Sequence, residues 1–157
     1  QVHAIATAAG CQLVAQTDLA IASDQATFGV NGIDIGLFCS TPSVALTRNV
    51  GTKAAMEMLM TGDFISAAEA RVRGLVNQVC EPEALDAAVE TLISTLLSKP
   101  KVALAMGKAL VYQQREAPMA AAYQMAAQTM AHNMMHPVAQ EGATAFVEKR
   151  KPQWRDA

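Results

Sequence analysis

Short apolar runs alternate with helical patterns over the first half of the chain, and helical patterns alone fill the last third. Val2 to Thr7 reads as a buried strand, Gly10 to Gln16 as a short helix, and Leu19 to Ser23 as a second strand. Thr27 to Phe38 is expected to be irregular, because Gly29, Gly32 and Gly36 permit tight turns or close backbone approach. Ser43 to Asn49 and Lys53 to Met60 follow the helical period, with Gly51 between them. Ser66-Ala67-Ala68-Glu69 spells a capping box: the serine hydroxyl accepts from a free backbone N–H, and the glutamate reaches back. The helix it opens ends at Gly74, and Leu75 to Cys80 reads as a short strand.

Past Pro82 the pattern is helical throughout. Leu85, Val89, Leu92 and Leu96 share one face, and Pro100 breaks that helix. Three more helices are expected over Val102 to Gln114, Met119 to Met135 and Val138 to Arg150. The fold class is therefore α/β, with a mixed part over 1–80 and a helical part over 81–157. No internal repeat or low-complexity linker interrupts it. A helical tail this apolar suggests packing on another part of the chain or on another subunit. Ala117 to Gln140 holds no Asp, Glu, Lys or Arg, which raises the question of a membrane span. Gln124, Gln128, His132 and His136 recur every four residues, however, and draw a polar stripe. Met119, Tyr123, Met130 and Met134 cover other faces, so a soluble helix and no membrane span are expected.

Composition narrows the class. The chain has 157 residues, 52% of them apolar and 17% charged, enough for a domain with a real core and unlike a disordered chain. The net charge is −2, and Lys149-Arg150-Lys151 is the only basic cluster. That argues against a nucleic-acid surface while leaving room for one local phosphate contact. Three widely spaced cysteines, Cys11, Cys39 and Cys80, with no CxxC pair, fit a reduced intracellular setting. The sequence opens on Gln1, directly in an apolar run, with no visible signal or transit segment. The expectation is a larger domain whose N-terminal part lies outside this sequence.

The candidate chemistry begins at Ala8-Ala9-Gly10, where a strand hands over to a helix. The first backbone N–H groups of a helix have no partner inside it, and the helix dipole adds positive charge there. Small side chains let a substrate oxygen approach, which is half of an oxyanion hole. A close-packed corner would select the same small residues. Gln12, just inside the helix, cannot move protons as a glutamate there could, since its amide does not titrate near neutrality. It would serve to orient water, or simply stand half-exposed. Asp34, between Ile33 and Ile35, reads as an acid or base in apolar surroundings, or as a turn residue facing solvent. Cys39-Ser40-Thr41 offers a nucleophile without an identifiable base, and Cys39 also reads as a small buried apolar side chain. His132 and His136 could share a metal on one helix face, yet no third ligand lies between them, so no metal site is expected.

Several stretches carry a family resemblance. "HAIATAAGCQLVAQTDLAIASDQATFGV", "IDIGL", "MEMLMTGDFISAAEARVRGLVNQV" and "EGATAFVEKRKPQW" occur in that order. Together they resemble the enoyl-CoA hydratase/isomerase (crotonase) superfamily over essentially the whole chain. With "GLFCSTP" in place of the usual glycine-rich segment, the chain is most similar to the branch termed enoyl-CoA hydratase domain-containing. The resemblance implies a crotonase-like spiral of ββα units followed by a helical trimerisation region. It implies an acyl-CoA or enoyl-CoA substrate, coenzyme A as part of that substrate, no permanently bound cofactor, and a homotrimer or dimer of trimers. One thioester-oxygen donor falls on the Ala9 N–H, and the other belongs to an N-terminal half that this sequence lacks. The two glutamates of the hydratases fall on Gln12 and Gly32, so both carboxylates are missing, and Asp34 is the stand-in acid or base. Phe146 and Lys149 fall where the family contacts CoA, often across a subunit boundary.

The resemblance thus implies a protein acting on an acyl-CoA thioester in fatty-acid metabolism, cytoplasmic in a bacterium or mitochondrial in a eukaryote. The alternative is an acyl-CoA-binding or assembly protein with little catalysis. No nucleic-acid partner is expected.

Overall fold

The computed structural model describes residues Gln1–Trp154. The chain divides into two compact units, Gln1–Leu92 and a second beginning at Ile93. The division falls later than the 1–80 boundary that the change of pattern suggests, inside a helix that runs across it.

In the first unit, β1 (Ala6–Thr7), β3 (Thr27–Gly29) and β4 (Ile65–Ser66) form one sheet in the order β1-β3-β4. β1 pairs with β3 in parallel, Ala6 opposite Phe28 and Thr7 opposite Gly29, while β3 and β4 are antiparallel. A second sheet pairs β2 (Ile21–Ser23) in parallel with β5 (Gln78–Cys80). The apolar run Val2 to Thr7 is therefore not one strand. Val2 bridges Ala22 in the second sheet, through Val2 N–H to Ile21 O (2.9 Å) and Ser23 N–H to Val2 O (2.8 Å), before Ala6 and Thr7 join the first. One apolar run serves two sheets, which alternation along the chain does not reveal.

The helices of this unit are α1 (Ala9–Gln16), α2 (Ser40–Asn49), α3 (Thr52–Thr61) and α4 (Ala67–Val72). The capping box forms as the sequence spells it: Ser66 Oγ accepts from Glu69 N–H (3.2 Å), and Glu69 Oε2 accepts from Ser66 N–H (3.1 Å). Thr27 to Phe38 is more ordered than its glycines suggest, because it contains β3 and a 3₁₀ turn over Asn31–Ile35. Phe28, Val30, Leu46, Met58 and Leu59 are buried between these layers. Full burial of such side chains stabilises by about 1.5–3 kcal/mol each.

α5 (Leu85–Leu97) crosses the division. The second unit holds α6 (Lys101–Gln114), α7 (Met119–Met135) and α8 (Pro137–Val147). Its core is thin: Val138 and Ala145 are buried, while Met119, Tyr123, Met130, Met134 and Met135 are exposed. Among the described residues no helix is long and apolar enough to cross a membrane. α8 stops at Val147, short of Arg150, for a reason visible in its cap.

Candidate functional site

The corner between β1 and α1 is built by backbone conformation. Ala8 has φ 46° and ψ −112°, in the left-handed half of dihedral space that only small or special residues tolerate well. Its N–H donates to Gly29 O (2.9 Å), and the first intrahelical bond runs from Gln12 N–H to Ala8 O (3.0 Å). The N–H groups of Ala9, Gly10 and Cys11 thus have no intrahelical acceptor, at the positive end of the dipole. Ala9 is exposed and Gln12 half-buried one turn along. Beneath them Cys11 is 1% exposed. Burial pushes its thiol up to about 11, Cys39 nearby adds to this, and a backbone hydrogen bond with Gly29 opposes it. A thiol held neutral in this way is inert as a nucleophile.

The pairing of Thr7 with Gly29 sets the 3₁₀ turn beside this corner. Thr7 Oγ1 donates to Asn31 Oδ1 at 2.8 Å. Gly32 N–H donates to Cys39 Sγ at 3.3 Å, and Leu37 N–H donates to Gly32 O at 2.9 Å. Gly36, with φ 79°, lets the chain double back. The turn is closed so tightly that a Cβ on Gly32 would stand 2.5 Å from Leu37 O and 2.9 Å from Cys39 Sγ. Cys39 is buried, as a small apolar side chain would be. Asp34 is exposed at the far side of the turn, where a Cβ on Gly62 would lie 2.9 Å from its Oδ1. The β1-β3 register thus brings Ala9 and Gly32 out at one end of the pair, with Gln12 one turn into α1, and the Asp34 carboxylate sits at the end of α3. Sequence reasoning missed the Thr7–Asn31 pair. The Asn-Gly dipeptide after an apolar run signals only the turn and not the partner.

In the second unit, α8 ends in a Schellman motif: Arg150 N–H donates to Ala145 O (3.0 Å) and Lys149 N–H to Phe146 O (3.2 Å). This puts Lys149 at φ 54°, where glycine is the usual residue. The following segment folds back along the helix. Arg150 forms a fork on Glu141 (2.7 and 3.0 Å) and reaches Glu148 (2.6 Å), while Gln153 N–H donates to Glu141 Oε1 (2.7 Å). Trp154 Nε1–H donates to Ser98 O (3.0 Å). Phe146 and Lys149 are left exposed. A cavity of about 970 Å³ lies alongside, lined by His136, Gln140, Glu141, Thr144, Arg150 and Gln153 among others. Its arginine is matched by the two glutamates.

His136 is used as the N-cap of α8, its Nδ1 accepting from Val138 N–H (3.2 Å), while His132 stays exposed on α7. No group of three or more His, Cys, Asp or Glu that could hold a metal occurs among the described residues.

A family model described as enoyl-CoA hydratase/isomerase matches residues 1–157. The chain is 46% identical over 153 residues to mouse enoyl-CoA hydratase domain-containing protein 3, mitochondrial, covering 98% of this chain and 51% of that protein. Among solved structures, an enoyl-CoA hydratase of Mycobacterium smegmatis is 59% identical with a TM-score of 0.95, covering 98% of this chain and 60% of that one. Human enoyl coenzyme A hydratase domain-containing protein 3 is 45% identical with a TM-score of 0.90, covering 96% and 59%. The chain spans about half the length of the curated relatives it matches. The fold is accordingly a crotonase-like α/β spiral followed by a helical region.

Proposed function

The chain belongs to the enoyl-CoA hydratase/isomerase family, and from that membership we propose that it binds an acyl-CoA thioester at the α1 corner. The Ala9 N–H is the oxyanion donor. The observation that carries this is the exposed first turn of α1, entered through the φ 46° corner at Ala8, whose N–H groups have no intrahelical acceptor. Donors fixed before the reaction stabilise charge on a thioester oxygen without reorganising. With Gln12 and Gly32 at the glutamate positions, the corner lacks the two carboxylates that add water in the family's hydratases. Asp34 is the one carboxylate of the 3₁₀ turn and the stand-in acid or base of this reading, and since it rests beside Gly62 it would have to turn toward the corner to move a proton there.

The test uses the intact protein and trans-2-butenoyl-CoA, with binding read by calorimetry and hydration by loss of the conjugated thioester absorbance. Binding is expected, with slow turnover. Gln12→Glu is expected to raise the rate by about 10²-fold, the lower end of what a positioned general base supplies. Fast turnover by the unaltered protein that Asp34→Asn abolishes would assign the protons to Asp34. Absence of binding to any acyl-CoA would overturn the reading.

Phe146 and Lys149 are the proposed CoA contacts of the helical unit, an apolar ring and a cation for phosphate. What supports it is the φ of Lys149: an exposed lysine occupies a left-handed cap position that favours glycine. Lys149→Gly is expected to stabilise the cap by about 0.5–1 kcal/mol and yet weaken acyl-CoA binding several-fold. A urea titration and a binding isotherm on the same variant check both signs; unchanged affinity would remove Lys149 from the site.

The helical region associates with copies of itself, as a homotrimer or dimer of trimers, which its exposed Met119, Tyr123, Met130 and Met134 support. The place of action is fatty-acid metabolism, mitochondrial in a eukaryote as the names of its relatives have it, and cytoplasmic in a bacterium. A second reading, a binding or assembly protein with little catalysis, is favoured by one observation: the turn at Gly32 has no room for a side chain.

A further inference from the structure

We propose that Asn31 is a specificity-determining residue: its carboxamide, oriented by the Thr7 hydroxyl, donates to an oxygen carried on the acyl chain. The assignment rests on the acyl-CoA reading and names the class of acyl group, a 3-oxoacyl thioester in preference to a saturated one.

Ala9 and Asn31 each lie two residues beyond a directly paired position, Thr7 opposite Gly29, on adjacent parallel strands. Such strands run about 4.8 Å apart. The two residues therefore leave the same end of the sheet side by side. A thioester carbonyl on the Ala9 N–H would place the first few carbons of its acyl chain within reach of Asn31.

Of the polar side chains in the turn Asn31–Ile35, Asn31 alone is tied to that end. Thr7 Oγ1 donates to Asn31 Oδ1 at 2.8 Å, which orients the amide and occupies one lone pair of its oxygen. Both Nδ2 hydrogens then remain as donors without an acceptor among the described residues. Gly32, next along, has no space for a side chain, with Leu37 O and Cys39 Sγ at 2.5 and 2.9 Å from any Cβ. Asp34 is set beside Gly62. The turn therefore offers the corner a neutral donor. A neutral amide binds a carbonyl oxygen at any pH near neutrality and does not remove a proton. Gln12 gives the α1 side of the corner the same character. An oxygen on the acyl chain gains a hydrogen bond from the oriented amide that a saturated chain cannot make, which is where discrimination arises.

The experiment is a calorimetric titration of the intact protein with 3-oxobutyryl-CoA and with butyryl-CoA, which have the same number of carbons. The unaltered protein is expected to bind the oxo ligand roughly three- to tenfold more tightly, the range of one net hydrogen bond. Asn31→Asp keeps the acceptor for Thr7 and loses both N–H donors; Asn31→Ala loses both functions. Each is expected to bring the ratio to one or below while butyryl-CoA affinity stays within twofold. Thr7→Val, which leaves the carboxamide untethered, is expected to reduce the ratio in part, and it carries the test should the Asn31 variants not fold. A ratio of one in the unaltered protein, or a ratio unchanged in the variants, would overturn the assignment while leaving thioester binding intact. Failure of both ligands to bind the unaltered protein would instead overturn the acyl-CoA reading, and this assignment with it.

Discussion

Gly32→Glu is expected to destabilise the protein by about 3 kcal/mol, the upper range for forcing atoms into a packed site, and to return no hydratase activity. The conflict begins at Cβ, 2.5 Å from a backbone oxygen that cannot rotate away. Gly32→Ala should therefore show much of the loss, although it adds no charge. The Gly32 N–H to Cys39 Sγ bond and the Leu37 N–H to Gly32 O bond lie on the segment that would have to open. A urea titration of the intact protein checks this: a midpoint falling by roughly 1–2 M is expected, for slopes typical of small domains. A Gly32→Glu protein with an unshifted midpoint and new hydration of an enoyl-CoA would show that the turn opens freely.

Positions 12 and 32, the proposed carboxylate positions, differ in how readily each could take one. At position 12 the change is confined to the side chain: Gln12 is half-buried on a regular helix, and a glutamate has nearly the same shape. At position 32 the whole turn has closed, with glycine as a condition of closure. One substitution suffices to restore the first group. The second requires a different path for residues 32–39. That asymmetry underlies the expectation that Gln12→Glu gains a base and still falls short of a two-carboxylate hydratase.

The helices were the most legible part of the sequence. Their starts and stops are spelled by local chemistry: the Ser66–Glu69 box, Pro100 before α6, Gly74 with φ 82° after α4. The strands were least legible, because two or three residues are too few to alternate. Ile65–Ser66 was hidden altogether, its serine already assigned to the cap of α4. The corner at Ala8-Ala9-Gly10 was visible as a run of small residues, and its free N–H groups follow from any strand-to-helix junction. The Thr7–Asn31 pair was not visible, since the two residues are 24 positions apart and only the β1–β3 register joins them. Lys149 is the opposite case: its charge is plain from residue type, while its left-handed backbone emerges only from the two bonds that close α8.

Phe28→Ala is expected to cost about 3–5 kcal/mol, the range for removing a buried aromatic ring, and to abolish acyl-CoA binding in whatever fraction remains folded. Phe28 is fully buried and stands in the middle strand of the β1-β3-β4 sheet, opposite Ala6 on one side and Ile65 on the other. Its neighbours across the sheet include an alanine, too small to fill the space left by the ring. Two of the contacts that define the corner depend on the same strand. Ala8 N–H donates to Gly29, the next residue, and Asn31 reaches Thr7 only while β1 and β3 keep register. A strand of three residues has few other bonds to hold that register. Phe28→Leu, which retains most of the volume, should lose only about 1–1.5 kcal/mol and keep the site. Urea midpoints and thioester titrations on the two variants distinguish this coupling from simple loss of core. If Phe28→Ala is strongly destabilised yet its folded fraction binds acyl-CoA with unaltered affinity, the corner is held by α1 alone and not by the sheet.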